Sequence, residues 1–517
     1  MKADGAIVLV GFMGAGKTTA AQRLGAERGL RVSDVDGLIE ARGGATVAEL
    51  FERDGEAAFR ALEEEVVCEL LARTHRGDIV SLGGGAVGSE RVRGALAAHL
   101  VLWLDVDPGL AWRRAADSGR PLARERASFD ARHAERVPLY AAVADAVAPA
   151  SARLSHGRLH DAVEKLRDLP AGTRLLWALS GCAEYPVWIG RGLLGSGLLA
   201  SPAQPASPGS LARRFCVTDE NVAPLWLGAA GDFAASIVIA AGEPSKSLAQ
   251  AERIWRELAQ RGMTRADHLV ALGGGVVGDL AGFCAGAYQR GVAVIQVPTT
   301  LAAQVDSAYG GKTGVDLPEG KNYVGVYHHP SAVLVDPATL QTLPAQEWSA
   351  GYAEVIKTAI IAGGALWERI AADRPIDDDV IFDCARCKLA IVAADERDEG
   401  RRQVLNLGHT VGHALETVTG YRRYRHGEAV GLGLLAALSL SGREDLRATV
   451  GGLLAEHGLP TRADGVDPAA VAAATHSDKK RLGASVPFVL VDAPGAVRHG
   501  GEVTPAQLEA ALAELCA

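Results

Sequence analysis

Residues 11–18 read Gly11-Phe12-Met13-Gly14-Ala15-Gly16-Lys17-Thr18, a complete G-x-x-x-x-G-K-T set between a strand-like run, Ala6–Val10, and a helix-like stretch, Thr18–Glu27. Glycines at these spacings let backbone N–H groups close around phosphate oxygens, while the lysine reaches the β- and γ-phosphates and the threonine hydroxyl ligates magnesium. An ordinary glycine-rich turn would need neither the Lys-Thr pair nor these flanks. Gly11, Gly14, Ala15, Gly16, Lys17, Thr18 and Thr19 are therefore candidate ATP contacts, with Thr18 on Mg2+ as well. Outward from the loop, apolar runs at Ile79–Leu82 and Leu100–Leu104 alternate with helix-like stretches such as Val47–Leu71. That alternation predicts an α/β unit, a parallel sheet with helices on both faces.

The chain has 517 residues, well past the roughly 250–300 at which one hydrophobic core stops growing, so more than one domain is expected. A helix-like segment, Arg158–Leu169, ends at Pro170-Ala171-Gly172, which places a boundary between domains 1–170 and 171–517. Strand-like runs then follow at Arg174–Leu179, Pro186–Ile189, Phe215–Thr218, Ser236–Ala240, His268–Leu272 and Val292–Val297. From about Trp348 the pattern turns helical almost to the end. Residues 171–347 thus read as an α/β nucleotide-binding part and 348–517 as a helical part, with a Ser/Pro/Gly-rich surface excursion at Gly195–Ser210.

Hydrophobic content of 48% with 22% charged residues fits a globular chain, and a net charge of −9 argues against nucleic acid or an anionic membrane as partner. Anionic substrates would need local Lys and Arg clusters. The uncharged run Ala429–Gly442 is shorter than the ~20 residues of a membrane span and reads as a buried helix. The sequence before Ala6 has no leader-like pattern, and the seven scattered cysteines fit reduced thiols, so a cytoplasmic location is expected. Cys384 and Cys387 form a lone C-x-x-C, read as two thiols on a helix face.

Further motifs follow the phosphate loop in order: Ser33-Asp34-Val35-Asp36, Asp54-Gly55-Glu56 through Phe59-Arg60, Gly83-Gly84-Gly85, Arg120-Pro121-Leu122, and Glu135-Arg136 through Tyr140. Singly, each charge could be a solvated surface residue. As an ordered set over residues 5–168 they resemble shikimate kinase. The resemblance implies that Asp34 helps hold magnesium through water and that Asp36 binds substrate hydroxyls and acts as base. It further implies that Arg60 and Arg136 clamp the shikimate carboxylate, that the Gly83, Gly84 and Gly85 amides lie against the ring, and that Arg120 sits on a lid, about 113–128, closing over ATP.

In the second half, Gly273-Gly274-Gly275-Val276-Val277-Gly278-Asp279 follows a strand-like run and precedes a helical one, so it could receive a dinucleotide pyrophosphate, although a plain turn would look the same. His409 and His413 stand four residues apart, His426 follows, and Glu354 could add a carboxylate. Two His and one Glu is a catalytic zinc pattern, yet by spacing alone His residues hydrogen-bonded in a helical core fit somewhat better.

Gly242-Glu243-Pro244-Ser245-Lys246, Gly273–Asp279, Pro298-Thr299-Thr300 through Asp306, Gly310-Gly311-Lys312, Lys321-Asn322, Glu354 through Lys357, Asn406 through His413, His426-Gly427-Glu428 and Asp478-Lys479-Lys480 together resemble 3-dehydroquinate synthase. The likeness runs from about Arg174 to the C-terminus, with a dimer through this half. It implies zinc, or cobalt, on Glu354, His409 and His426, with His413 beside the substrate. NAD would be held by Asp219, Glu243, Lys246, Gly275, Asp279, Thr299, Thr300, Lys312 and Lys321. Asp306, Lys312, Asn322, Lys357, Lys388, Arg402, Asn406 and Lys480 would surround 3-deoxy-arabino-heptulosonate 7-phosphate, with Arg290 reaching in from a neighbouring subunit. Asp398 stands where the family pattern leads one to expect Glu.

The combined expectation is a fusion of two shikimate-pathway activities leading to chorismate and the aromatic amino acids, with ATP and Mg2+ in one half and NAD and Zn2+ in the other. Alternatives are a different sugar-phosphate cyclase or a polyol dehydrogenase in the second half, and a non-catalytic nucleotide-binding module in the first.

Overall fold

The computed structural model describes residues 2, 4–116, 125–200, 212–475 and 487–517. Arg120, Lys479 and Lys480, half of the expected lid and most of the Gly195–Ser210 excursion lie outside them. The chain divides into two compact units, Met1–Leu179 with Glu184–Gly190, and Ser180–Ala183 with Arg191–Ala517.

In the first unit, strands are ordered Arg31–Asp34, Asp78–Ser81, Ile7–Val10, Leu100–Asp105, Ala146–Pro149, Arg174–Leu179, Glu184–Ile189. All pairs are parallel except the last. The central strands are buried along their whole length, as a parallel sheet covered on both faces requires. Ile7 sits level with both Ile79 and Leu100, which brings the ends of three strands to the phosphate loop. The helix Val47–Leu71 opens with a Thr46/Glu49 capping box and is broken at Gly55, whose φ of 82° favours glycine.

The strands Arg174–Leu179 and Glu184–Ile189, read from sequence as the start of the second half, group with the first unit. Leu175 and Leu176 pair with Ala146 and Val147, so the sheet edge at Ala146–Pro149 finds partners for its backbone groups. The boundary by contact therefore falls later than the Pro170-Ala171-Gly172 break.

The second unit begins with a five-stranded parallel sheet, ordered Ala332–Val335, Ala293–Pro298, His268–Gly273, Arg214–Asp219, Ala235–Ile239. Helices Leu248–Gln260 and Gly275–Ala287 pack on it through Ile254, Leu258, Leu280 and Phe283. A hairpin, Lys312–Leu317 with Gly320–Tyr327, projects from this part. From Ala345 the described residues are mainly helical, with a second hairpin at Phe488–Ala493 and Ala496–Gly501. No helix among the described residues is long and apolar enough to cross a membrane. The run Ala429–Gly442 falls within the helix His426–Leu440, buried on nearly every side.

That helix packs unusually close to its neighbours. A Cβ on Gly433 would lie 1.9 Å from the Gly408 carbonyl oxygen, and one on Gly427 would lie 1.9 Å from that of Ala350. Ala normally suits a helix better than Gly by ~1 kcal/mol, but here the added methyl meets backbone. Gly433→Ala should therefore destabilise the second unit by about 1–3 kcal/mol, read as a lower calorimetric melting temperature; a rise would show that the helices separate without cost.

Candidate active sites

In the first unit, Gly11, Gly14 and Gly16 have φ of 147°, 80° and 82°, and Gly16 caps the helix Lys17–Arg28. The loop thereby turns its amides toward the helix N-terminus, the arrangement that receives phosphate. Lys17 Nζ donates to the carbonyls of Gly11 at 2.8 Å and Phe12 at 3.2 Å, a position from which it can exchange carbonyl oxygens for phosphate oxygens. Thr18 and Thr19 are exposed at the helix start. Asp34 Oδ1 accepts from the Asp36 amide at 3.1 Å, whereas Oδ2 is buried with no hydrogen-bond partner among the described residues. An acceptor left so beside a phosphate loop fits a hydrated magnesium ion.

The opposite wall is cationic. Arg136 donates to the Gly84 carbonyl at 3.1 Å, alongside the Tyr140 hydroxyl. Arg60 pairs with Glu63 and lies over the rings of Phe51 and Phe59. The glycine turn lies against these side chains: a Cβ on Gly85 would fall 2.1 Å from Arg60 Nη1, and one on Gly83 would fall 2.3 Å from Glu63 Oε1, so either would displace the end of that side chain. Burial lowers the Arg136 pKa, with Arg60 adding repulsion, so an arriving carboxylate relieves an unfavourable charge pair. Sequence reading missed Glu63, which is buried and fixes Arg60; its only signal was the i, i+3 spacing.

In the second unit a cleft of about 1600 Å³ is lined by nearly all the residues expected there. They include Asp219, Glu243, Lys246, Gly275, Asp279, Thr299, Thr300, Asp306, Lys312, Lys321, Asn322, Glu354, Lys357, Lys388, Arg402, Asn406, His409, His413 and His426. Arg290 is not part of this lining. The hairpin at Lys312–Tyr327, which sequence reading did not foresee, delivers Lys312, Lys321 and Asn322.

At one end Gly274 caps the helix Gly275–Ala287. Added Cβ atoms on Gly274 and Gly275 would meet Thr300 at 2.8 Å and Ser307 at 3.2 Å, so backbone amides lie open between small side chains. Lys246 is buried and pairs with Asp279 at 2.5 Å, and the Thr299 hydroxyl is buried without a partner among the described residues. An open helix N-terminus at the sheet's C-terminal edge, with a spare hydroxyl, fits a dinucleotide.

At the other end three imidazoles meet. Ligand atoms of His409, His413 and His426 all lie within 4.8 Å of one another. Glu354 Oε1 stands 3.7 Å from His409 Nε2 and 3.5 Å from His426 Nε2. His409 Nδ1 lies 3.2 Å from the Leu407 carbonyl; donating there leaves the Nε2 lone pair facing the cluster. Burial, reinforced by Lys357, holds His409 neutral. Burial alone would also lower His426, but Glu354 and Glu416 bring its pKa up to about 10. Three imidazoles with the Glu354 carboxylate beside them form a nitrogen and oxygen donor set that fits a divalent metal of the zinc type. Glu416, overlooked in the sequence, is buried 3.5 Å behind His426 Nδ1 and also receives Lys321 at 3.0 Å.

Between the two ends lies a web of buried charge. Lys357 Nζ pairs with Asp306 at 2.5 Å and with Glu354 at 2.6 Å, and Lys388 also pairs with Asp306. Arg402 donates to the Gly310 carbonyl at 3.0 Å, and Lys312 pairs with Asp398. Asp398, with φ of 64°, meets Lys312 despite having a shorter side chain than the expected Glu. Burial would raise the Asp306 pKa, but Lys357 and Lys388 bring it down to about 2.

The geometry fits one class: a phosphate-loop unit joined to a unit whose cleft holds an open helix N-terminus, a histidine cluster and buried cations. Comparison narrows it. Residues 13–167 match the shikimate kinase family, residues 236–350 the 3-dehydroquinate synthase N-terminal family and residues 351–481 its C-terminal family. A 3-dehydroquinate synthase of Halorhodospira halophila is 41% identical over 358 residues, covering 66% of this chain and 99% of the relative. That of Symbiobacterium thermophilum is 42% identical over 350 residues, covering 63% and 96%. Among solved structures, 2-epi-5-epi-valiolone synthase from Streptomyces hygroscopicus, with NAD+ and Zn2+ bound, is 26% identical with a TM-score of 0.57, covering 65% of this chain and 98% of that one. The chain belongs to the 3-dehydroquinate synthase family and carries a shikimate kinase domain before it. It is a bifunctional enzyme of the shikimate pathway, a kinase and a lyase.

Two outcomes follow. Glu416→Gln should weaken the affinity of the histidine cluster for added divalent metal about 10–100-fold, as loss of a supporting carboxylate behind an imidazole does, measured by competition with a chelator. Asp306, held near 2 when folded against about 4 unfolded, adds stability that is present above pH ~4 and lost as pH falls toward ~2. Asp306→Asn should therefore cost roughly 3–5 kcal/mol at neutral pH, since Lys357 and Lys388 stay buried. It should also flatten the acid limb of a pH–stability curve.

Proposed function

We propose that the first unit phosphorylates shikimate with Lys17 on the transferring phosphates, Thr18 and Asp34 holding magnesium, and Arg60 and Arg136 gripping the substrate carboxylate. Gly83, Gly84 and Gly85 shape the floor beneath the ring. Asp36 accepts the proton of the attacking hydroxyl, the new O–P bond forms at the γ-phosphorus, and ADP leaves. Positioning and charge suffice for this transfer, and the observation that carries the reading is that Arg136 lies over the Phe12 ring of the phosphate loop while it and Arg60 pack on the glycine turn beside that loop. Arg120, outside the described residues, is the proposed lid cation.

In the second unit the proposed reaction converts 3-deoxy-arabino-heptulosonate 7-phosphate to 3-dehydroquinate with release of phosphate. Glu354, His409 and His426 would hold zinc, with His413 beside the substrate, and the Gly275 helix with Asp219, Glu243, Lys246, Asp279, Thr299, Thr300, Lys312 and Lys321 would hold NAD. When bound, zinc polarises a substrate hydroxyl and NAD takes up and returns hydride, leaving no net oxidation. Lys312, Lys357, Lys388 and Arg402 neutralise the phosphate and carboxylate, while Asp306, Asn322, Asn406 and Lys480 orient the hydroxyl groups. Asp306 and Glu354 keep Lys357 protonated, its pKa raised by both despite burial, so it binds anions as a fixed cation. The carrying observation is that the His and Glu cluster and this cationic web share one cleft with the open helix N-terminus. A cytoplasmic enzyme, dimeric through the second unit, completes the reading.

The test uses the whole chain. Chelation should abolish phosphate release from the heptulosonate phosphate, and zinc should restore it with NAD present and no net NADH. Stoichiometric NADH would instead make the second unit a dehydrogenase. Lys17→Ala should slow shikimate phosphorylation by about 10²–10³-fold and leave phosphate release unchanged; equal loss of both would refute separate sites.

A further inference from the structure

Within the second unit, Cys182, His329 and Glu396 bring a thiol, an imidazole and a carboxylate together, with ligand atoms all within 4.8 Å of one another. They come from three distant segments: the turn Ser180–Ala183, the stretch after the strand Gly320–Tyr327, and the stretch after the helix Asp378–Ala394. Glu396 Oε1 lies 2.6 Å from Cys182 Sγ and 2.9 Å from His329 Nε2, while Oε2 accepts from the Cys182 amide at 3.1 Å. The imidazole and carboxylate are almost enclosed, at 6% and 12% exposure, whereas Cys182 is exposed and a free thiol.

We propose that Cys182, His329 and Glu396 form a second divalent-metal site, separate from the histidine cluster of the cleft and selective for zinc. Zinc bonds of about 2.0–2.3 Å set tetrahedral donor separations of roughly 3.3–3.7 Å, so Glu396 Oε1, at 2.6 Å from Cys182 Sγ and 2.9 Å from His329 Nε2, needs to part from each by no more than about 1 Å. Binding replaces the Cys182 S–H with S–Zn, the proton going to solvent; the His329 ring moves its proton from Nε2 to Nδ1, and the Nε2 lone pair so freed binds zinc in place of the hydrogen bond to Glu396. Glu396 Oε1 is the third ligand while Oε2 keeps the Cys182 amide. The exposed side of Cys182 leaves the fourth position to water. A thiolate among the donors favours zinc over magnesium or calcium.

The site adjoins the cleft through its own chain. The Glu396 carbonyl accepts from Arg402, the Arg397 carbonyl accepts from the Tyr327 hydroxyl at 2.9 Å, and Asp398 pairs with Lys312. A metal on Glu396 would therefore pin the segment that positions two of the cleft's cations.

Cobalt(II) titrated into the metal-free whole protein separates the two sites, because only a thiolate ligand gives the intense near-ultraviolet sulfur-to-cobalt band. The expected result is that band in the wild type and its loss in Cys182→Ser and in His329→Gln, with the weaker visible absorption of the histidine cluster retained. Zinc retained after gel filtration, measured by mass spectrometry, should fall by one ion per chain in the same variants. Absence of the band, its survival in Cys182→Ser, or equal zinc in wild type and variants would overturn the proposal.

Discussion

The second unit depends on how closely its helices cross. Gly433 lies against the Gly408 carbonyl, Gly412 against Ala429 and Gly427 against Ala350, so the helices bearing His409, His413, His426 and Glu354 approach at backbone distance. Short imidazole and carboxylate side chains can then converge on one point. Bulkier residues at these crossings would move the helices apart by more than such side chains can span.

Around that point charge is organised rather than merely abundant. The chain is acidic overall, with a net charge of −9, yet the cleft gathers Lys246, Lys312, Lys321, Lys357, Lys388 and Arg402. Their carboxylate partners Asp279, Asp398, Glu416 and Asp306 keep the lysines oriented. Burying cations without such partners would be costly, and partners this close can give way to an anionic substrate. The kinase unit uses a milder version, in which Glu63 and two arginines pack against a glycine turn.

Much of this was legible in the chain. The phosphate loop needed no partner to be read, because its chemistry is local: eight consecutive residues make the cradle and the next turn of helix completes it. The alternation of buried strands and helices followed for the same reason. The histidines were ambiguous, since spacing along a helix cannot say whether two rings meet a third ring thirteen residues beyond the second. Glu63 and Glu416 gave almost no signal, as a buried carboxylate is recognised only by what surrounds it. The Cys182 group gave none, its members lying on three separate segments.

By itself the sequence determined the two catalytic chemistries, the order of the units and the charged residues and histidines that meet in the second unit's cleft, because those depend on residue type and on periodicity within single elements. Tertiary structure alone decided which strands belong to which compact unit, which carboxylate stands behind which cation, and where helices touch closely enough for imidazoles to meet. Those outcomes rest on contacts between residues far apart in the chain, and local patterning carries no record of them.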